Sequence, residues 1–194
     1  MFLRILKTIG SFLLNFIEAI ITALAIFVII YLFLFQPHQV KGNSMRTSLL
    51  ESFHDKEYLL TNKLVYNFDQ PQRGDIVIFR APHNQDYDYI KRIIGLPGET
   101  IKIEDGQVYI NDQVLDESDY LPEEVKTNPG KFLKEGEEMT IPLRKYFVVG
   151  DNRPNSYDSR TWGFISIKDI VGKAWLRYWP VKKMGLIDYK KITY

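Results

Sequence analysis

Residues 89–94 read Tyr-Ile-Lys-Arg-Ile-Ile and residues 75–79 read Asp-Ile-Val-Ile-Phe, and these two runs decide the fold class. Both are rich in β-branched and aromatic residues, which favour strands. In the two-residue period of a strand, Lys91 shares a face with Tyr89 and Ile93. Burial among apolar side chains lowers a lysine pKa and supplies a neutral amine as a general base. The alternative, which the pattern alone favours, is an edge-strand lysine whose charged head reaches water.

Short runs of the same kind recur along the rest of the chain, separated by turns rich in proline, glycine and asparagine. They lie at residues 58–60, 64–66, 100–103, 108–110, 146–149 and 174–179. No long amphipathic helix separates them. The pattern predicts a mainly β, antiparallel fold, built as a sandwich or barrel.

The N-terminal region differs from this pattern because residues 19–35 carry no charge and apolar residues extend the run back past Glu18. About 20 such residues cross a bilayer. A cleavable signal peptide fits poorly, since residues 36–39 offer no small-residue cleavage site. A buried core helix is rarely apolar on all sides. We expect a transmembrane anchor over residues 12–35.

The anchor divides the chain into a tail at residues 1–11, the anchor itself and a catalytic domain at 36–194. Arg4 and Lys7 favour a cytoplasmic tail and an extracytoplasmic domain, although Lys41 and Arg46 weaken that bias. Residues 104–142 are predicted to be a small inserted β and loop region. Its part from 116 to 138 is acidic and poor in apolar residues, so we expect it to have little core of its own.

Charge and cysteine content exclude several classes of function. The first 35 residues contain only Arg4, Lys7 and Glu18 as charged residues, which leaves 23 basic and 23 acidic residues in the remainder. A neutral domain has no overall field for capturing nucleic acid, so no nucleic-acid partner is expected. The absence of cysteine excludes disulfides, zinc–thiolate sites and cysteine nucleophiles. We expect no metal, no cofactor and a monomeric protein.

Three segments carry residues suited to catalysis, and each is a weak signal alone. Residues 42–49 present Ser44 in a turn-forming context, where backbone N–H groups can face an oxyanion, although a simple turn or helix cap has the same pattern. Lys91 is the candidate base. Residues 150–160 are dense in short polar side chains, which suits a buried network or an ordinary polar surface loop. His38, His54 and His83 lie in loop-like contexts and are predicted to be solvated surface residues.

Taken in order, these segments resemble type I signal peptidase, the membrane-bound serine endopeptidase that removes signal peptides from exported preproteins. The resemblance rests on the apolar anchor, Ser44-Met45, residues 74–79, Lys91 through Glu99, and residues 150–160. It covers most of the chain except residues 104–142. The single anchor in a short chain is similar to the Gram-positive form of the family.

The resemblance implies a role for each matching residue. Ser44 would be the nucleophile and Lys91 the general base. Ser156 would orient the lysine amine through a hydrogen bond, and Asp158 and Arg160 would form a supporting salt bridge. The Ser44 backbone N–H would stabilise the oxyanion. Some family members add a hydroxyl two residues before the nucleophile, where this chain has Gly42.

The resemblance also implies the substrate, which is a signal peptide bound as an extended strand beside the bilayer. Small residues are expected at the first and third positions before the cut. The walls of the pockets would be Pro37, Val40, Met45, Leu49, Tyr89 and Ile90. Two alternatives remain at this point. One is another Ser–Lys peptidase such as a self-cleaving repressor-like protein, and the other is a catalytically silent, membrane-tethered assembly factor for surface proteins.

Overall fold

The computed structural model describes residues 2–47 and 52–187 of the chain, in two units, Met1–Gln36 and Pro37–Tyr194. In the first unit, helix α1 spans Phe2–Ile29 and is followed by a π-helical turn, Ile30–Leu34. The part of α1 from Lys7 to Ile29 has a mean hydropathy of 2.5, and none of it is buried. By length and composition this helix can cross a membrane.

The second unit is mostly β-sheet. The strands are β1 (Phe35–Gln39), β2 (Tyr58–Asn62), β3 (Ile76–Ala81), β4 (Asn84–Gly95), β5 (Thr100–Glu104), β6 (Gln107–Ile110), β7 (Gln113–Val114), β8 (Glu138–Thr140), β9 (Lys145–Val149), β10 (Ile165–Ser166), β11 (Ile170–Trp179) and β12 (Gly185–Leu186). Two one-turn α-helices, α2 (Val65–Phe68) and α3 (Ser159–Trp162), and 3₁₀ turns at Arg153–Asn155, Ile167–Asp169 and Val181–Lys183 connect them.

The strands form two sheets. The large sheet has the order β1-β2-β11-β3-β4-β9-β10, with β12 paired to β11, and the small sheet has the order β7-β6-β5-β8. The pairings from β2 through β12 are antiparallel. The predicted mainly β, antiparallel fold class is therefore confirmed.

The β3–β4 hairpin lies at the centre of the large sheet and has apolar residues on both faces. Val77 pairs with Lys91 and Ile78 with Ile90. Alternate residues of β3 enter different core clusters: Ile78 packs with Val40 and Met45, whereas Val77 packs with Ile93 and Tyr146. A strand that is buried on both faces has apolar residues at consecutive positions. This explains the apolar run within residues 75–79.

A third core cluster joins the small sheet to the large one through Phe147 of β9. It contains Ile101, Ile103, Val108 and Ile110 of the small sheet together with Ile94, Phe147 and Val149 of the large sheet. It also takes in Leu115, Tyr120, Leu121 and Leu133 from the region between β7 and β8. Residues 116–138 thus add buried side chains to a core shared with both sheets, and the expectation that they have little core of their own stays a prediction. The few apolar residues of this region are buried, although its acidic composition is typical of an exposed loop.

One expectation fails, because residues 64–66 do not form a strand. Val65 begins the short helix α2, and the Asn62 side chain accepts hydrogen bonds from the N–H groups of Leu64 and Val65. Such local capping by asparagine competes with a strand and starts a helical turn instead.

We expect Phe147→Ala to destabilise the catalytic unit by about 3–5 kcal/mol, because it removes a fully buried ring at the junction of the two sheets. The matched control is Phe68→Ala, which truncates a ring that is 83% exposed and is expected to change little. Denaturant unfolding of the full chain in detergent measures both. Equal stability of the two variants would contradict this placement of the core.

Candidate active site

Ser44 lies in a tight turn immediately after β1. The turn is closed by a hydrogen bond from Arg46 N to Asn43 O of 3.0 Å, and it begins at Gly42, whose φ of +81° favours glycine. Met45, only 1% exposed, anchors the turn in the core. Ser44 is half-buried, and the buried side chain of Met45 fixes the turn that carries it.

Lys91 reaches this serine from the centre of β4. Lys91 Nζ lies 2.7 Å from Ser44 Oγ and donates a second hydrogen bond of 3.0 Å to Ile90 O. Lys91 is only 4% exposed. This burial excludes the alternative of a lysine whose charged head reaches water.

Burial lowers the pKa of the Lys91 ammonium from 10.5 to about 8. The carboxylates of Asp158 and Asp151 oppose this shift, and the Arg160 guanidinium adds to it. Because these charges partly cancel, desolvation decides the direction of the pKa shift. A useful fraction of the amine is therefore neutral near pH 7–8 and can accept a proton from the serine hydroxyl.

The loop at residues 150–160, which we call the catalytic loop, packs against the Ser44 turn. Asn152 N donates to Ser44 O at 3.0 Å, and Asn152 Nδ2 donates to Asn43 O at 2.9 Å. At Gly150 a Cβ would overlap both Ser156 Oγ and the Ser44 carbonyl oxygen. The absence of a side chain at Gly150 therefore lets the two segments approach closely.

Within the catalytic loop, Asp158 and Arg160 form a buried ion pair. Arg160 Nε lies 2.8 Å from Asp158 Oδ1, and Arg160 Nη2 lies 2.8 Å from Asp158 Oδ2. Asp158 also accepts from Gly150 N at 3.1 Å. These contacts fold the loop back on its own beginning.

Ser156 does not make the hydrogen bond to the lysine amine that the resemblance implies. Its hydroxyl is buried beside Gly150, and within residues 2–47 and 52–187 it has no hydrogen-bond partner. The amine instead uses the Ser44 hydroxyl and the Ile90 carbonyl. Ser156 thus contributes packing near the pair in this conformation.

The backbone N–H of Ser44 has no acceptor within residues 2–47 and 52–187. The N–H of Gly42 is already used, since it donates to Asp55 Oδ1 at 3.0 Å. Two backbone groups of the turn thus differ in availability. The arrangement fits an oxyanion site at Ser44 itself.

A cavity of about 280 Å³ adjoins the serine–lysine pair. Of the six pocket residues expected from the resemblance, Val40, Tyr89 and Ile90 line it. Pro37 is exposed outside it, Met45 is buried in the core beneath it, and Leu49 lies outside the described residues. The expected wall is therefore present in part.

The cavity also has a polar wall that the sequence did not reveal. His38 Nδ1 lies 2.8 Å from Thr61 Oγ1, and His38 Nε2 lies 3.0 Å from Asp88 Oδ2. His38 is therefore not the solvated surface residue that we expected; its side chain is only 14% exposed. The period-two pattern of β1 places it on the same face as Val40, which is the signal that could have found it.

A second, more polar cavity of about 800 Å³ is lined by Asn43 and by the first part of the catalytic loop. It shares Asn43 and Asn155 with the first cavity, and its other walls include Arg46 and Glu124.

Comparison with known proteins places this site in a family. Residues 13–179 match the family described as signal peptidase, peptidase S26. Signal peptidase I of Bacillus caldolyticus is 39% identical over 79% of this chain and 85% of its own. Signal peptidase I P of Bacillus subtilis subsp. natto is 36% identical over 90% of this chain and 93% of its own.

Among solved structures, a signal peptidase I from Enterococcus faecalis is 33% identical and covers 54% of this chain and 97% of its own, with a TM-score of 0.44. The sequence matches define the class of protein first: this chain is a hydrolase of the serine endopeptidase class. More particularly, it belongs to the signal peptidase family, peptidase S26.

Burial of Lys91 carries a cost in stability, and we expect Lys91→Met to remove it. A pKa of about 8 in the folded chain against 10.5 in water corresponds to roughly 3 kcal/mol of destabilisation below pH 8. Between pH 8 and 10.5 the unfolded chain keeps the proton that the folded chain releases, so the wild type gains stability as pH rises. The advantage of Lys91→Met shrinks through the same window.

Thermal unfolding of the full chain in detergent at pH 7 and pH 10 measures this difference. Lys131→Met, which changes an exposed lysine, is the control and is expected to be neutral at both pH values. A Lys91→Met variant no more stable than the wild type at pH 7 would show that the amine is not desolvated.

Proposed function

We propose that this chain is a signal peptidase I that cleaves signal peptides from exported preproteins, with Ser44 as nucleophile and Lys91 as general base. The observation that carries the proposal is the 2.7 Å contact between Ser44 Oγ and Lys91 Nζ. Burial lowers the pKa of this amine to about 8. A serine hydroxyl is a weak nucleophile unless a base removes its proton, and this lysine is the base within reach.

In the first half of the reaction, neutral Lys91 Nζ takes the Ser44 proton as Oγ attacks the carbonyl carbon of the scissile peptide. The Ser44 N–H donates to the oxyanion that forms. The Lys91 ammonium then protonates the leaving amine, so the C–N bond breaks and an ester to Ser44 remains. In the second half, Lys91 takes a proton from the water that attacks the ester. It then returns this proton to Ser44 Oγ as the ester bond breaks and the signal peptide leaves, which restores the free serine and the neutral amine.

The charged groups around the pair support this chemistry without touching the substrate. Asp158 and Arg160 hold the catalytic loop in its fold, and Ser156 fills the space beside Gly150. Arg92, which follows Lys91 on the chain, pairs with Asp151. Its Nε donates to Asp151 Oδ1 at 2.9 Å and its Nη2 donates to Oδ2 at 2.7 Å. Paired in this way, these charges raise no large net field at the amine.

The substrate is expected to lie as an extended strand between β1 and β4, since peptide groups added to a strand edge gain backbone hydrogen bonds. Its first and third residues before the cut share a face and point into the small cavity. Val40, Ile78 and Ile90 offer apolar walls for small side chains there, while His38 and Asp88 add a polar one. Residues after the cut lead into the larger polar cavity.

Helix α1 anchors the enzyme in the bilayer, where the apolar part of a signal peptide also lies. Two partners held at one membrane meet at a higher effective concentration than they would in solution. We assign residues 1–11 to the cytoplasmic side, 12–35 to the membrane and 36–194 to the extracytoplasmic side. One chain contains both Ser44 and Lys91, so a monomer suffices, and the neutral domain has no role in binding nucleic acid.

The two sequence alternatives have less support. The relatives described above bear the name signal peptidase I, and none supports a catalytically silent assembly factor. The apolar anchor also differs from what a self-cleaving repressor needs. The activity assay below separates an active peptidase from a silent one.

We expect Ser44→Ala and Lys91→Ala each to abolish cleavage of a preprotein, because one removes the nucleophile and the other its base. The measurement is conversion of a purified preprotein by the full chain in detergent or liposomes, followed by mass determination of the product. The controls Thr140→Ala and Lys168→Ala change an exposed hydroxyl and an exposed lysine away from the site and are expected to cleave at the wild-type rate. Cleavage by Lys91→Ala at the parent rate would refute the mechanism.

The same mechanism fixes the pH dependence. Because only neutral Lys91 can accept the Ser44 proton, kcat/KM is expected to rise about tenfold per pH unit at low pH and to level off above the lysine pKa of about 8. A peptide substrate without ionisable groups near the cut isolates the enzyme's own titration. A profile that is flat from pH 5 to pH 9 would contradict it.

A further inference from the structure

Arg153 in the catalytic loop is a fully buried charge that the proposed chemistry does not use. It is 2% exposed. Its guanidinium pairs with Glu117, with Nη1 donating to Oε2 at 2.8 Å and Nη2 donating to Oε1, and it also donates to the hydroxyl of Thr127. Both partners come from the region between β7 and β8, far from the catalytic loop in sequence.

Tyr120 connects this ion pair to a second one beside the lysine. The Tyr120 hydroxyl donates to Glu117, and the Arg92 guanidinium lies 4.0 Å from the centre of the Tyr120 ring. Arg92 in turn pairs with Asp151. Glu117 and Tyr120 therefore join the residue next to Lys91 with the first part of the catalytic loop.

The far end of the catalytic loop is held by backbone contacts with the same region. Arg160 Nη1 donates to Asn128 O at 3.1 Å, and the N–H groups of Phe132 and Leu133 donate to Arg160 O at 2.9 and 3.1 Å. Gly130 packs so closely on the Arg160 carbonyl that a Cβ there would overlap it. Residues 117–133 thus contact the catalytic loop at both ends; we call them the strap.

We propose that the strap positions the catalytic loop against Lys91, and that Glu117 is the positioning residue on which this depends. The proposal rests on the proposed function, because it concerns how the base is kept ready. Glu117 touches neither Ser44 nor Lys91 and acts through Arg153. It extends the active-site machinery into the region that resembled no known motif.

The physical reason is the cost of an unpaired charge in the interior. If Glu117 loses its charge, the Arg153 guanidinium stays buried without a counter-ion, which is strongly unfavourable. The catalytic loop then relaxes so that water reaches the guanidinium. Asp151, Asp158 and Arg160 all lie on this loop and all act on the Lys91 amine. Relaxation also hydrates that amine, so its pKa moves up from about 8 toward 10.5.

The test is Glu117→Gln in the full chain, which keeps the shape and removes the charge. We expect kcat at pH 7.5 to fall by about tenfold or more with KM within about twofold, because the substrate groove is not touched. The rising limb of the kcat/KM profile is expected to move to higher pH by about one unit, the shift that lowers the neutral fraction of Lys91 at pH 7.5 by nearly tenfold. Glu117→Asp, which restores the charge, is expected to recover part of both.

The matched control is Glu99→Gln. Glu99 pairs with Arg73 and accepts a hydrogen bond from Leu96 N at 2.8 Å, and its side chain is 15% exposed against 13% for Glu117. Its loss is expected to lower the unfolding temperature while leaving the pH profile in place. The strap proposal is overturned if the activity of Glu117→Gln falls only in proportion to its folded fraction and its kcat/KM profile keeps the wild-type pH dependence.

Tyr120→Phe decides the question if Glu117→Gln does not fold. It removes only the hydroxyl that donates to Glu117 and keeps the buried ring over Arg92. A smaller shift of the rising limb in the same direction supports the strap, and an unchanged profile overturns it. Failure of the proposed function itself looks different, because Ser44→Ala would then cleave like the wild type.

Discussion

The active site depends on the removal of one lysine amine from water. Lys91 lies in the central hairpin of the large sheet, with Val77 opposite it and Ile93 two residues along the same face. This surrounding core supplies the free energy that offsets the cost of desolvation. The same burial holds the amine 2.7 Å from Ser44. Stability and catalysis therefore draw on one packing arrangement, and the site is less stable than an apolar core would be.

Paired charges around the lysine serve a different purpose from the lysine itself. Arg92–Asp151, Asp158–Arg160 and Arg153–Glu117 are all buried pairs, and each is internally compensated. An unpaired carboxylate near Lys91 would stabilise the charged ammonium and raise the pKa of Lys91. The amine would then stay protonated at neutral pH and could not act as a base. Compensation lets desolvation set the pKa, while the directional hydrogen bonds of the guanidinium groups fix the loop.

Local patterns in the sequence predicted the fold class and placed Lys91 on a strand face with Tyr89 and Ile93, because both depend on neighbours two residues away along a strand. The pattern left the burial of Lys91 open, and by itself it favoured an exposed lysine, whereas the side chain is only 4% exposed. Contacts between distant segments were beyond these local patterns. His38 meets Asp88 fifty residues later, and Glu117 meets Arg153 thirty-six residues later. The acidic composition of residues 116–138 suggested exposure, and no local rule distinguishes Glu117, which has a buried partner, from the exposed acids beside it. The pairing expected for Ser156 failed for a related reason, since a residue type in a motif does not determine where its hydroxyl points.

A chain without cysteine has to fix its active-site loop by non-covalent means, and the three arginines show how this one does it. Arg92 joins the loop to β4, Arg153 joins it to Glu117, and Arg160 joins it to the backbone of the strap. In water such contacts contribute little, but in the interior the loss of one partner leaves a charge that nothing solvates. The loop is therefore held less by the strength of any one contact than by the cost of breaking it. These ion pairs hold the loop only where water is excluded. Tyr120, Leu121 and Leu133 of the strap are buried in the core beside the loop and keep water out.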